Sequence, residues 1–94
     1  MFRSVLPKSK PKAVKVIERE EDGKLIIYYG HTVYVMGNYA AEIWHMCDGK
    51  HSIEDLAEFV ALKYGVSIER AIEEIKDFVN RLKMKGLITF LEND

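Results

Sequence analysis

The pattern of apolar and polar positions changes along this chain from a period of two to a helical period. Residues 14–19, 24–29 and 32–36 are short runs rich in Val, Ile and Tyr. Asp22-Gly23 separates the first two runs, and Asp-Gly between β-prone segments is a strong hairpin signal. A second turn falls at Tyr29-Gly30-His31. The first third of the chain therefore predicts a three-stranded antiparallel meander.

The third run is apolar on both faces. Val33 and Val35 alternate with Tyr34 and Met36, so neither face of this predicted strand is polar. Such a strand must be covered on both faces or receive a partner. If it forms the edge of the meander, its free N–H and C=O groups can bind another extended chain.

Two helices are predicted directly after the meander. The first spans residues 39–46, with Asn38 as a possible N-cap and Asp48-Gly49 after its end. Ser52 caps the second helix, and Asp55 three residues later approximates a capping box. The apolar positions of the second helix recur at helical spacing and form one stripe, composed of Ile53, Leu56, Ala57, Val60 and Tyr64.

A longer third helix follows. Gly65 ends the second helix, Ser67 begins the third, and Gly86 closes it. Its apolar stripe is broad and consists of Ile68, Ala71, Ile72, Ile75, Phe78, Val79 and Leu82. Residues 87–91 are predicted to pack back on the domain or to add a short strand.

Strands followed by closely spaced helices predict an α+β fold that is winged helix-turn-helix-like, a three-stranded antiparallel meander followed by three helices. We assign this domain to residues 13–94. Residues 1–12 contain two prolines, four basic side chains and no acid, which predicts a flexible basic N-terminal arm. A solvated tail is the simpler interpretation of the arm, and an electrostatic contact with a partner enzyme is the alternative.

Composition excludes several classes of protein. The chain has 94 residues and a net charge of −1, so no strong attraction to nucleic acid or to an anionic membrane is expected. One cysteine excludes an internal disulfide and fits a reducing compartment. No apolar run is long enough for a signal peptide or a membrane span. The sequence predicts a cytoplasmic protein.

A helix-turn-helix raises the possibility of DNA binding. The first half of the third helix, where base-reading side chains would lie, carries four acids and two bases between residues 69 and 77. Because a duplex is densely negative, such a helix would be repelled from the groove. A winged-helix DNA-binding regulator is kept as the alternative function.

Three side chains invite a chemical role. His45, Cys47 and His51 follow no standard zinc spacing, and His45 and Cys47 point in different directions on one helix. No base is positioned by sequence to activate Cys47. Neither a G-x-S-x-G elbow nor a glycine-rich phosphate loop is present. The sequence predicts no catalytic residue, no metal site and no cofactor.

An ordered set of motifs distinguishes between these possible functions. D-G-K-L and V-Y-V-M precede A-A-x-I-W-x-M-C-D-G, which is followed by S-I-E-D-L-A, K-Y-G and E-I-x-x-F-V-x-x-L-x-x-x-G-L-I. In this order the set resembles the PqqD-like family, the small peptide chaperones that serve peptide-modifying enzymes. Gly37 departs from the family pattern, which usually has Asn between the third strand and the first helix.

The resemblance implies a non-catalytic peptide chaperone. Such a domain binds the leader of a ribosomally made precursor peptide by strand addition and presents it to a modifying enzyme, commonly a radical S-adenosylmethionine protein. Neither nucleic acid nor a membrane is an implied partner, and monomer and homodimer both stay open. The resemblance assigns leader contacts to Thr32, Val33, Tyr34, Val35 and Met36 of the strand, to Ile75, Val79 and Leu82 of the helix, and to Lys76, Arg81 and Lys83 as partners for leader acids.

Overall fold

The computed structural model describes residues 8–90, so residues 1–7 and 91–94, which include most of the predicted arm, lie outside the described residues. The strands are β1 (Pro11–Ala13), β2 (Ile17–Glu21), β3 (Lys24–Tyr29), β4 (Thr32–Met36) and β5 (Ile88–Phe90). The helices are α1 (Asn38–Met46), α2 (Ile53–Tyr64) and α3 (Ile68–Met84). The structure confirms an α+β fold in which a meander precedes three helices. The winged-helix likeness stays a prediction.

The meander is antiparallel and has the strand order β2-β3-β4. Its first turn has φ of 52° at Asp22 and 75° at Gly23, the two positive angles of a type I′ hairpin turn. Its second turn has a φ of 62° at Gly30, a left-handed angle that glycine adopts without strain. Both turns are two residues long, so they fix the register of all three strands.

The N-terminal residues differ from the prediction of a flexible arm. β1 begins at Pro11 and pairs antiparallel with β5, which is the short strand predicted for the tail. The carbonyl of Ser9 accepts from Ile53 N at 3.0 Å, and that of Pro11 accepts from Gly49 N at 2.9 Å. Pro11 lacks an N–H but keeps its carbonyl, which is all that these contacts require. Ser9, Pro11 and Lys12 of the predicted arm are therefore bonded to the domain.

Helix caps were predicted correctly at α2 and α3 but not at α1. Asp55 N donates to Ser52 Oγ at 3.1 Å, and Ser52 N donates to Asp55 Oδ2 at 2.9 Å, so the capping box is complete. Ser67 Oγ accepts from Arg70 N at 3.2 Å. Asn38 as N-cap is wrong, because the cap is Gly37, which makes no side-chain bond, and Asn38 is the first helical residue.

Replacing Ser52 by alanine is expected to lower the free energy of unfolding by about 1 kcal/mol, because the Asp55 N–H loses its acceptor in a part-buried site. Urea unfolding followed by circular dichroism measures this change. Ser52→Thr keeps a hydroxyl acceptor and should recover most of the stability. An alanine variant as stable as the parent would mean that water replaces the cap.

The helices cover one face of the meander and leave the other open. Leu25, Ile27 and Met36 point into the core, whereas Val33 and Val35 are 54% and 59% exposed. The largest fully buried side chain is that of Trp44 in α1, whose Nε1 donates to Glu18 Oε2 of β2 at 2.9 Å. The remaining core comes from the facing stripes of the helices and from β5, namely Ile43, Cys47, Ile53, Leu56, Ala57, Val60, Ala71, Ile75, Val79, Leu82, Leu87 and Ile88.

Candidate functional site

β4 is an edge strand within the part of the chain that the structure describes. It pairs with β3 on one side only, through a register that places Tyr29 opposite Thr32. In a hairpin with a two-residue loop, the two residues that flank the loop form a hydrogen-bonded pair, and here these are Tyr29 and Thr32. Since ladder bonds alternate along an antiparallel pair, Val33 and Val35 direct their N–H and C=O groups away from β3. The backbone N–H and C=O groups of these two residues are therefore open to pairing with an added strand.

The two edges of the meander differ in charge. β2 reads I-E-R-E-E, and all five of its residues are exposed. Charged side chains on an edge strand discourage pairing with another chain. β4 reads T-V-Y-V-M and carries no charge. The β4 edge is therefore the better template for an added strand.

α3 lies beside β4. The Nζ of Lys85 is 5.9 Å from the ring centroid of Tyr34, and Tyr39 OH donates to Glu74 Oε1 at 3.4 Å. Glu74 and Lys85 are about 16 Å apart along the helix. Tyr34 and Tyr39 contact them in the reverse order, so the chain from β4 into the start of α1 follows α3 in the opposite direction. We call the space between them the β4–α3 groove.

Three predicted contact residues of α3 lie in the core of the domain. Ile75 and Val79 are fully buried, and Leu82 is 6% exposed. Their side chains form the core under the sheet. The sequence marked them as apolar at helical spacing, and that pattern identifies the face that packs inward. Their role as peptide contacts stays a prediction.

The contacts of α3 also fix which flank of the helix faces β4. At about 100° per residue, Phe78, Arg81 and Lys85 lie on the same side of the buried stripe as Glu74. Lys76 and Lys83 lie on the opposite side, and Lys83 Nζ sits 5.3 Å from the ring centroid of Phe90 in β5.

Of the basic residues predicted for α3, only Arg81 is therefore on the groove side. Arg81 Nη2 binds Asp77 Oδ2 at 3.0 Å. Phe78 and Lys85, which the resemblance did not assign as contacts, lie on this flank, and no sequence signal distinguishes the two flanks. The predicted strand residues Thr32, Val33, Tyr34, Val35 and Met36 all lie in β4, where Met36 is buried and Tyr34 half-buried.

A polar cluster closes the end of the groove near Tyr39. Tyr39 and Tyr64 meet edge to face with ring centroids 5.1 Å apart. Glu42 accepts from Lys63 Nζ and from Tyr64 OH, and these bonds hold the pKa of its carboxyl below the ordinary value. Burial, followed by the nearby charge of Glu74, raises the pKa of the Tyr39 hydroxyl. The cluster joins α1, α2 and α3, and it fixes Tyr39 in place.

The residues considered for nucleophilic or metal chemistry are held apart. Cys47 is buried and donates to the carbonyl of Ile43 at 3.2 Å, and burial, with a smaller effect of Asp48, raises the pKa of its thiol to about 12. His45 binds Glu18 and His51 binds Asp48, each through one ring nitrogen. Within residues 8–90 no group of three or more His, Cys, Asp and Glu side chains is placed to hold a metal ion.

A cavity beside α1 has no reactive lining either. It lies between α1, the β2–β3 hairpin and the end of α2, and it has a volume of about 360 Å³. Its lining is Glu20, Asn38, Ala41, Glu42, His45, Lys63 and Tyr64. Glu42 and Lys63 neutralise each other there, and the lining contains no nucleophile beside a base.

An open, uncharged sheet edge beside a helix is typical of modules that bind extended peptides by strand addition. Comparison with protein families assigns the chain independently of this geometry. A model of the family described as coenzyme PQQ synthesis protein D, PqqD, matches residues 24–88. The match covers more than half of the chain, so the protein belongs to the PqqD family. This confirms the resemblance drawn from the motifs.

The matched range begins at the first residue of β3 and ends in β5, so it contains β4 and all three helices. β1 and β2 precede it. No curated protein and no solved structure matches the chain. None of the helices that the structure describes has the length and apolar character needed to cross a membrane. Family membership supports an accessory, peptide-binding role without catalysis.

Proposed function

We propose that this protein is a peptide chaperone that binds the leader of a ribosomally synthesised precursor by strand addition to β4. The observation that carries the proposal is the uncharged edge at Val33 and Val35, which lies beside α3. The backbone N–H and C=O groups of this edge can form hydrogen bonds with the backbone of any extended peptide. The side chains along the groove supply the selectivity.

The bound leader would be presented to a separate modifying enzyme, which we propose to be a radical S-adenosylmethionine protein. The chaperone contributes proximity, because holding the leader raises the effective concentration of the core peptide at the active site of the enzyme. This role requires no cofactor in the chaperone. It also fits a cytoplasmic protein whose one cysteine is buried and unpaired.

DNA binding receives no support from the described surface. In the N-terminal half of α3 the exposed side chains include Glu69, Glu73, Glu74 and Asp77. Arg70 is paired with Glu74 at 3.1 Å, so this base is neutralised within the helix. A helix with this charge lacks the basic surface that phosphate contacts need.

An NMR titration of the isotopically labelled protein tests the proposal. The probes are leader peptides of precursors encoded beside its gene, with a DNA duplex as the control. Shifts concentrated at Thr32–Met36 and along the Phe78–Lys85 flank of α3, at micromolar peptide, are expected. A response to the duplex at α3, with none to the peptides, would overturn the proposal in favour of a DNA-binding regulator.

A further inference from the structure

The groove has a cationic end at Lys85. The ammonium of this residue lies over the Tyr34 ring, and it has no acidic partner among residues 8–90. Arg81, one helical turn earlier, shares the same flank and is already bound to Asp77. Tyr34 projects from β4 on the helix side of the sheet, since it lies opposite the fully buried Ile27. A positive charge is therefore held over the middle of the strand.

The other end of the groove holds a neutralised charge pair. Tyr39 donates to Glu74 there, and Arg70 binds the same carboxylate, so no cation of α3 is left free at this end in the described residues. Charge along the groove thus changes from positive beside Tyr34 to neutral beside Tyr39. A binding surface with such polarity discriminates between peptides by where they place their charges.

A strand added to β4 would place its side chains alternately on the two faces of the sheet. The residue opposite Tyr34 faces the groove, with its Cβ about 5 Å from that of Tyr34. Its two neighbours fall on the outer face, beside the exposed Val33 and Val35. The groove-side position is within reach of the Lys85 ammonium, and the outer positions meet apolar surface.

We infer that Lys85 and Tyr34 form a carboxylate-reading subsite, so that the recognised leader carries Asp or Glu opposite Tyr34 and apolar residues on both sides of it. This inference rests on the proposed function and specifies its substrate. The carboxylate forms a charge-assisted bond with Lys85, while the flanking apolar side chains pack against Val33 and Val35. Lys85 is the specificity determinant of this site.

Selection from a displayed library of random peptides tests the subsite. The wild-type protein is expected to enrich peptides with an acid between two apolar residues, whereas Lys85→Glu enriches Lys or Arg at the same position. Lys83→Glu is the matched control: it adds the same charge to the same end of α3, but on the flank that faces Phe90. This control should keep the wild-type preference.

Affinities of one selected peptide complete the test. Exchanging its acid for lysine should weaken binding to the wild-type protein about ten-fold and should restore binding to Lys85→Glu. An acid preference that persists in Lys85→Glu, or no positional preference at all, would overturn the subsite. The proposed function fails separately, if Val35→Pro selects the same peptides as the wild-type protein.

Discussion

Replacing Val35 by proline is expected to lower the affinity for leader peptide by about ten-fold or more, while the domain stays folded. The proline removes an N–H that points to the open side of β4, and its ring obstructs the approach of the added strand. No bond between β3 and β4 is lost, because the N–H of Val35 is not directed at β3. Isothermal titration calorimetry measures the affinity, and urea unfolding measures the stability.

Glu20→Pro is the matched control for this variant. Glu20 occupies the other open edge of the meander, and its N–H also points away from β3, since Glu21 and Lys24 close the first turn. It should therefore leave leader affinity unchanged. Val35→Ala, which keeps the N–H, should weaken binding less than the proline does. Equal affinities for the two proline variants would contradict strand addition at β4.

Replacing Trp44 by alanine is expected to lower the free energy of unfolding by about 3–5 kcal/mol, the largest change of any single substitution proposed for this chain. The side chain is 2% exposed and packs between the helices and the sheet. Its loss leaves a cavity in a small core and removes the Nε1 bond to Glu18. Because domains of this size are marginally stable, urea denaturation should show a midpoint near zero urea or no folded baseline.

Trp44→Phe separates the two contributions. It removes the hydrogen bond but fills much of the volume, so it should cost less than the alanine variant, on the order of 1–2 kcal/mol. Glu18→Gln keeps an acceptor oxygen and should cost less still. If Trp44→Ala destabilised the domain by less than the phenylalanine variant, packing of this residue would not hold α1 to the sheet.

The two sheet edges differ in how strongly they discourage pairing with another chain. β2 is protected by Glu18, Arg19, Glu20 and Glu21, and Glu18 also anchors it to Trp44 and His45. β4 has no such protection. An unprotected edge is a hazard for aggregation unless it has a use, so its persistence here is consistent with the binding role proposed for it.

Local sequence was sufficient for the elements themselves. Asp22-Gly23 and Gly30 impose turns through their own backbone angles, and Ser52 with Asp55 caps α2 through bonds between residues three apart. These effects act over a few residues, which is why the meander, the helix order and two of the caps were predicted. The ordered motifs of the chain also indicated the family. The N-cap prediction failed at α1 because Gly37, the residue before Asn38, takes the extended backbone angles of the cap, and Asn38 is already helical.

The site required the tertiary structure. The spacing of α3 predicts one buried stripe but cannot tell which of its two flanks faces β4, because a helical wheel has no external reference. The contacts of Lys85 with Tyr34 and of Tyr39 with Glu74 orient the helix. They place Phe78 and Lys85, rather than Lys76 and Lys83, on the flank that faces β4. The pairing of β1 with β5 joins the two ends of the described chain, and no local pattern encodes a partner so distant in sequence.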